Sequence, residues 1–332
     1  MLSRLFVLLV CLGEAHGAMA VDWVRAGVST NQTVWGIRKG LLWAVAPGGF
    51  RSGEPRGLIR LGYPVLPDGG YDLINFIAVE PVVRGRRGFS ELEGSQLDGV
   101  PGKRIWAEDP GGATATSLVP GTLRKRSGGY EGLEVPLRLE KFDNGAHVRL
   151  VARQRDGRPG ELALSVFQEP DSAPLDYCIL TATMGNMART RLLWLKNQRV
   201  SSLDLYRDYK QTGFAPHQEY PLSDLPRTAD GGLLIALSND EDSPASVFPF
   251  PNSELWHYAG AKVTQYWAKP PGAFHDDLRL AVNARFTYWR SARPIPGGVA
   301  FENFELRERF YEGQTFVFGI TRRTPEELGM KR

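Results

Sequence analysis

The sequence predicts an all-β protein, a large antiparallel β-sandwich with few short helices. Short apolar or alternating runs recur along the chain, turn-forming clusters separate them, and hardly any stretch holds a helical period. The runs are Gly57–Tyr63, Leu73–Val83, His147–Ala152, Glu161–Phe167, Leu233–Leu237 and Thr315–Thr321. Between them stand Pro47-Gly48-Gly49, Pro67-Asp68-Gly69-Gly70, Asp109-Pro110-Gly111-Gly112, Arg155-Asp156-Gly157, Ala229-Asp230-Gly231-Gly232 and Pro296-Gly297-Gly298. Asp-Gly and Gly-Gly supply the positive φ that tight hairpins require. A helix is expected over Met187 to Tyr206, and Thr324-Pro325-Glu326-Glu327-Leu328 reads as a capped terminal turn.

The first residues read as an export signal. Arg4 supplies the positive end, Leu5 to Leu12 a short apolar core, and Ala18-Met19-Ala20 a small-x-small cleavage site. Residues 1–20 are therefore expected to be a signal peptide and 21–332 a single large β-sandwich domain, periplasmic or extracellular. No later apolar stretch approaches the roughly 20 residues that span a bilayer, so no transmembrane anchoring is expected after cleavage. With Cys11 removed, only Cys178 remains, which leaves no internal disulfide and reads as a small buried hydrophobe.

Charge excludes one class of partner. In 332 residues, 40 Lys and Arg stand against 37 Asp and Glu, spread without a basic arm, so no nucleic-acid partner is expected. The chain also lacks a P-loop, a GxGxxG turn and a GxSxG elbow, the anchors of nucleotide-dependent and α/β-hydrolase chemistry.

Two groups of residues have the chemistry of a site. The first is acidic: Glu80, Glu91 and Glu93, with Asp72 and Asp98 nearby. Glu80 lies inside an apolar run, where a carboxylate needs a partner, and Arg84, Arg86 or Arg87 is at hand. A structural ion pair and a catalytic carboxylate are both open readings. The second is aromatic and polar: Trp256-His257-Tyr258, Tyr266-Trp267, Lys269, His275-Asp276-Asp277, Arg285 and Tyr288-Trp289-Arg290. A sugar site combines apolar platforms with directional polar groups, as this segment does, although core strands would show a similar alternation. His217 follows Pro216 in an aromatic-flanked stretch suited to a cleft, whereas His147 reads as a surface or packing residue. No cofactor is indicated. A metal ion stays undecided: His275-Asp276-Asp277 has ligand chemistry, but HExxH, paired CxxC and EF-hand patterns are absent.

The blocks Asp72–Glu93 (DLINFIAVEPVVRGRRGFSELE) and Phe301–Gly319 (FENFELRERFYEGQTFVFG) resemble blocks of uncharacterised secreted bacterial proteins associated with polysaccharide degradation. The mature chain resembles the β-supersandwich of galactose mutarotases, several glycoside hydrolases and some polysaccharide lyases. That resemblance implies a secreted carbohydrate-active protein cleaving glycosidic linkages by acid/base catalysis, or a non-catalytic glycan-binding or surface-assembly module. It also makes Glu302 or Glu305, on a late strand whose mixed register suggests a bulge, a candidate base, against the reading of a surface Glu paired with Arg307 or Arg309. A hydrolase would pair Glu80, Glu91 or Glu93 with Glu302, Glu305, Asp276 or Asp277. A lyase would neutralise a uronate with Arg or an amide and abstract a proton with His or Tyr, drawing on His257, His217, Tyr266, Arg189 and Arg285. The expected catalytic residues are thus His257, Glu302, Glu80, Glu93 and Tyr266. Trp256, Trp267, His217, His275, Arg189, Arg285 and Trp289 are the expected substrate contacts.

Overall fold

A computed structural model describes residues 21–47, 56–66, 68–91, 102–108, 118–126, 128–183, 189–239, 262–288 and 292–330. The strands are β1 (Trp23–Val24), β2 (Val34–Ile37), β3 (Leu42–Ala44), β4 (Leu58–Tyr63), β5 (Asp72–Val83), β6 (Arg86–Arg87), β7 (Ile105–Ala107), β8 (Thr122–Lys125), β9 (Glu131–Leu139) and β10 (Val148–Arg155). They continue as β11 (Glu161–Gln168), β12 (Tyr177–Thr183), β13 (Leu192–Trp194), β14 (Arg199–Ser201), β15 (Gln218–Pro221), β16 (Leu233–Ser238), β17 (Thr264–Lys269), β18 (Arg279–Arg285), β19 (Ala300–Arg307) and β20 (Gln314–Thr321). The six runs named from sequence fall on β4, β5, β10, β11, β16 and β20.

The strands form two antiparallel sheets packed as a sandwich. The first sheet runs β1-β2-β3-β4-β5-β12-β19-β18-β15, with β6 hairpinned onto β5. The second runs β14-β13-β16-β17-β20-β11-β10-β9-β7, with β8 on β9. Side chains alternate across each strand, so one inner face contributes Ile77, Val79, Leu180, Phe304 and Leu280. The facing sheet contributes Val135, Leu150, Leu164, Trp267 and Phe318.

Two polar links cross the apolar layer. Trp267 is fully buried, packs edge-on against Phe318 with ring centroids 5.1 Å apart, and donates its indole N–H to the Phe304 carbonyl at 2.8 Å. Asn75 and Gln265, both fully buried, meet side chain to side chain at 2.5 Å. Burial on this scale rests on apolar area, while each link satisfies a polar group that would otherwise cost free energy inside.

Two expectations about local structure meet different outcomes. The helix expected over Met187–Tyr206 is absent from its described part: residues 192–201 form the β13–β14 hairpin, and only Ser202–Leu205 makes a single helical turn, α1, capped by Ser201. Leu193 pairs with Leu237 and faces the core, so pairing to β16 overrides the local pattern. The terminal turn is capped as read: Glu327 takes the Thr324 N–H at 2.7 Å and gives its own to the Thr324 hydroxyl at 3.3 Å.

Late in the chain, β18 and β19 slip register between Val282 and Ala284. Phe304 lies opposite Val282 and Phe301 opposite Ala284, so Glu302 and Asn303 together oppose Asn283. This bulge lets both phenylalanines enter the core. Among the described residues, no helix is long and apolar enough to cross a membrane. Replacing Trp267 with Ala is expected to lower stability by about 3–5 kcal/mol, read from denaturant unfolding, because it removes a large core side chain and an inter-sheet hydrogen bond.

Candidate active site on the outer face of the first sheet

The site begins with a hairpin. Arg84 and Gly85 both have positive φ, 49° and 72°, and their turn folds β6 back on β5 so that Arg87 lies opposite Val82. Arg87 is then diagonal to Glu80, within cross-strand reach. Ser90 extends the hairpin: its hydroxyl donates to the Gly57 carbonyl at 2.6 Å and accepts the Val79 N–H at 2.8 Å. Gly57 has φ of 79°, and a Cβ there would come 1.8 Å from the Ser90 carbonyl oxygen, so only glycine lets the segment lie this close.

Register supplies the other side chains. Ala78 pairs with Thr181, Thr181 with Glu305, Glu305 with Ala281, and Ala281 with Glu219. The row thus has polar groups at its centre and small alanines beside them. Arg87 bridges Glu80 and Glu305, and Thr181 lies 2.8 Å from Glu80 and 2.6 Å from Glu305. Arg307 also binds Glu305 and reaches Glu219 at 2.6 Å. At the edge, His217 Nε2 stands 3.6 Å from Glu305 and 3.4 Å from the Asn283 amide nitrogen.

These charges are not equivalent. Burial pushes the Glu80 carboxyl up to about 7, against Arg87 and with help from the Glu305 charge. Burial works in the same direction on Glu305, but Arg87 and Arg307 outweigh it and hold that carboxyl below its usual range. A single Thr181 hydroxyl proton cannot serve two carboxylates, so one of the pair has to donate, which fits a proton retained on Glu80. Burial also holds His217 below the usual histidine range, opposed by Glu305, so its imidazole is neutral at neutral pH. Glu80 and Glu305 are buried, with side chains 9% and 0% exposed, whereas His217 is 33% exposed. The solvent-facing proton carrier is the histidine.

Further along the same face, Arg285 donates to the Thr212 carbonyl at 3.1 Å and stacks its guanidinium 4.8 Å from the Phe214 ring centre. Burial pushes the Glu91 carboxyl up, opposed by the charges of Arg60 and Arg285. Beyond the other end, Phe274, His275, Asp276, Arg309 and Phe310 line an open cleft of about 460 Å³. His275 tilts against Tyr311 with ring centres 4.8 Å apart, and Arg309 pairs with Asp277 at 3.2 Å. Among the described residues, no group of three His, Cys, Asp or Glu side chains is arranged to hold a metal ion.

The structure therefore brings Glu80, Glu305 and His217 together and sets Arg285 toward one end of their face, while His275 lies in the loop before β18 with its backbone N–H on the buried Glu308. Other expected residues sit elsewhere. Trp267 belongs to the core, where no sugar can reach it. Tyr266 lies on the outer face of the second sheet, its hydroxyl donating to Glu161 at 3.0 Å and its ring covering Gly319, so it cannot act with the Glu80 group. Arg189, 1% exposed, donates to the Pro296 carbonyl at 3.3 Å and braces a turn. Glu302 is buried in the bulge and closed to a substrate. Glu93, Trp256, His257 and Trp289 lie outside the described residues. Sequence reading misses Thr181, Asn283 and Phe214, because their roles depend on strand partners distant in the chain, whereas Arg307 pairs with Glu305 two residues away as one reading of the sequence has it. The chain matches no family model, no curated protein and no solved structure.

The unequal carboxyls make a testable pair. The proton on Glu80 stabilises the fold fully below the unfolded value near 4.5, and this stabilisation is lost as pH rises through about 7. Glu80→Gln is expected to remove that slope, gaining on the wild type by a few kcal/mol between about pH 5 and about pH 8 in urea titrations. Glu305→Gln leaves two guanidiniums facing a neutral amide and is expected to cost about 3–5 kcal/mol at neutral pH.

Proposed function

We propose that this chain is a secreted carbohydrate-active enzyme that cleaves acidic polysaccharide by β-elimination, with His217 as the base. The observation that carries this reading is the accessible neutral His217 beside a carboxyl pair that is itself buried. Hydrolysis needs two carboxyls open to the scissile bond, whereas Glu80 and Glu305 are committed to Arg87, Thr181 and Arg307. Their work is to orient those groups.

In the elimination, His217 removes the proton from C5 of a uronate. The electron pair forms the C4–C5 double bond as the C4–O bond to the neighbouring sugar breaks. The departing oxygen takes a proton from the imidazolium or from water, leaving an unsaturated uronate and a shortened chain. Charge developing on the uronate carboxyl is met by guanidinium donors, for which the partly exposed Arg87 and Arg307, both bound to Glu305, stand beside His217. The resemblance of the two sequence blocks to uncharacterised secreted proteins associated with polysaccharide degradation supports the same substrate class.

The purified mature protein is expected to generate ultraviolet absorbance from unsaturated ends on one of a panel of uronic polysaccharides, and none on neutral ones. His217→Ala is expected to lose at least about 10²-fold in kcat with an unchanged circular-dichroism spectrum. The acid limb of kcat/KM is expected below the usual histidine value, since activity needs the neutral imidazole and His217 is held low. Retention on a glycan without products would instead identify a binding module.

A further inference from the structure

The row Glu305, Arg307 and Arg309 runs along one side of β19 and its extension, because Arg309 still pairs with Tyr177 beyond the strand end. Toward the opposite end, Arg285 pairs with Phe214 and with Ala300. From Ala300 to Arg309 the face therefore extends about 30 Å at about 3.3 Å per residue. One pyranose ring fills a small part of that length.

One end offers an aromatic surface and the other a polar cleft. Phe214 is 46% exposed, the sole aromatic among the large hydrophobic side chains exposed in the described residues. One side of its ring rests on the Arg285 guanidinium, itself tied to the Thr212 and Thr287 carbonyls, so the ring is held in place before any ligand arrives. Past the other end the exposed Arg309 opens on the 460 Å³ cleft with His275 and Asp276, floored by Phe274 and Phe310, which are partly buried against the core. His217 lies between, three residues along the same edge segment from Phe214, or about 10 Å.

The geometry points to a track for an extended glycan chain: sugar units on either side of the one at His217 rest on Phe214 and in the Phe274–Arg309 cleft. The inference builds on the glycan reading above and adds that the site engages internal stretches of a polymer. Stacking on Phe214 removes the apolar face of a sugar ring from water, and Arg309 with Asp276 meets its hydroxyls or carboxyl.

Length dependence tests the track. Oligomers of alginate and of polygalacturonate, from dimer upward, and neutral galactomannan oligomers are the probes. Affinity is measured in the His217→Ala background by gel retardation and calorimetry, and initial rates independently in the wild-type background. Affinity and kcat/KM are expected to rise with length on an acidic series. Phe214→Ala and Arg309→Ala are each expected to lose roughly tenfold on the longest oligomer, and less on the shortest bound one. Phe214→Leu keeps an apolar cover over Arg285 without a flat ring and is expected to behave as Phe214→Ala, whereas Phe214→Trp retains affinity. Products whose rate and affinity ignore chain length, or Phe214 and Arg309 variants that match their parent, would overturn the track and leave the glycan reading standing. Failure of the wild type to bind or cleave any probe would overturn both.

Discussion

Strand register is the constraint on which this structure depends. In β5, β12 and β19, alternate residues face opposite ways, so Val79, Leu180 and Phe304 join the core while Glu80, Thr181 and Glu305 form the outer network. A slip of one residue in any of the three would bury a carboxylate or hydroxyl in the apolar layer and expose a large hydrophobe. The core that stabilises the sandwich therefore also fixes the positions of the polar groups. Fold and site share one set of pairings.

The electrostatic consequence is a division of labour. Glu305, flanked by two guanidiniums, keeps its charge, and Glu80, buried, flanked by one and repelled by its neighbour, holds its proton up to about pH 7. Neither is presented to solvent. What they do present is the guanidinium of Arg87, bound on one side by both carboxyls, and a histidine whose ring faces Glu305 and Asn283. Buried ion pairs of this kind contribute little net stability over a well-packed apolar alternative, and their retention is better explained by the side chains they orient.

Much of the fold is legible because β structure writes itself locally, as alternation and turn residues. The runs that become β4, β5, β10, β11, β16 and β20 need no partner to be recognised. The β13–β14 hairpin reads as a helix because three-residue strands are too short to show a period, and their pairing to β16 is information held elsewhere in the chain. The site follows the same division. Glu80 declares itself as a carboxylate within an apolar run, and its partner as one of Arg84, Arg86 and Arg87, among which only the hairpin register selects Arg87. Thr181 and Phe214 carry no local mark of function, since one acquires its place by lying opposite Glu305 and the other by lying opposite Arg285. Trp267 and Tyr266 stand side by side in sequence as candidate residues for a sugar site, yet a strand sends adjacent residues to opposite faces, and each finds a structural partner there.

The doubled position at Glu302 and Asn303 works as a change of phase within one strand. Upstream of it odd-numbered Phe301 turns inward; downstream the inward residues are even-numbered, Phe304 and Leu306, and the odd ones are free to carry charge. An unbroken alternation through all four residues from Phe301 to Phe304 would hold Phe304 and Leu306 inward only by turning Phe301 out toward solvent and drawing Glu302 inside, whereas deletion of one of the doubled pair would restore one-for-one pairing with both phenylalanines still inward. The irregularity is thus what allows a single continuous strand to anchor the interior at one end and furnish the polar surface at the other.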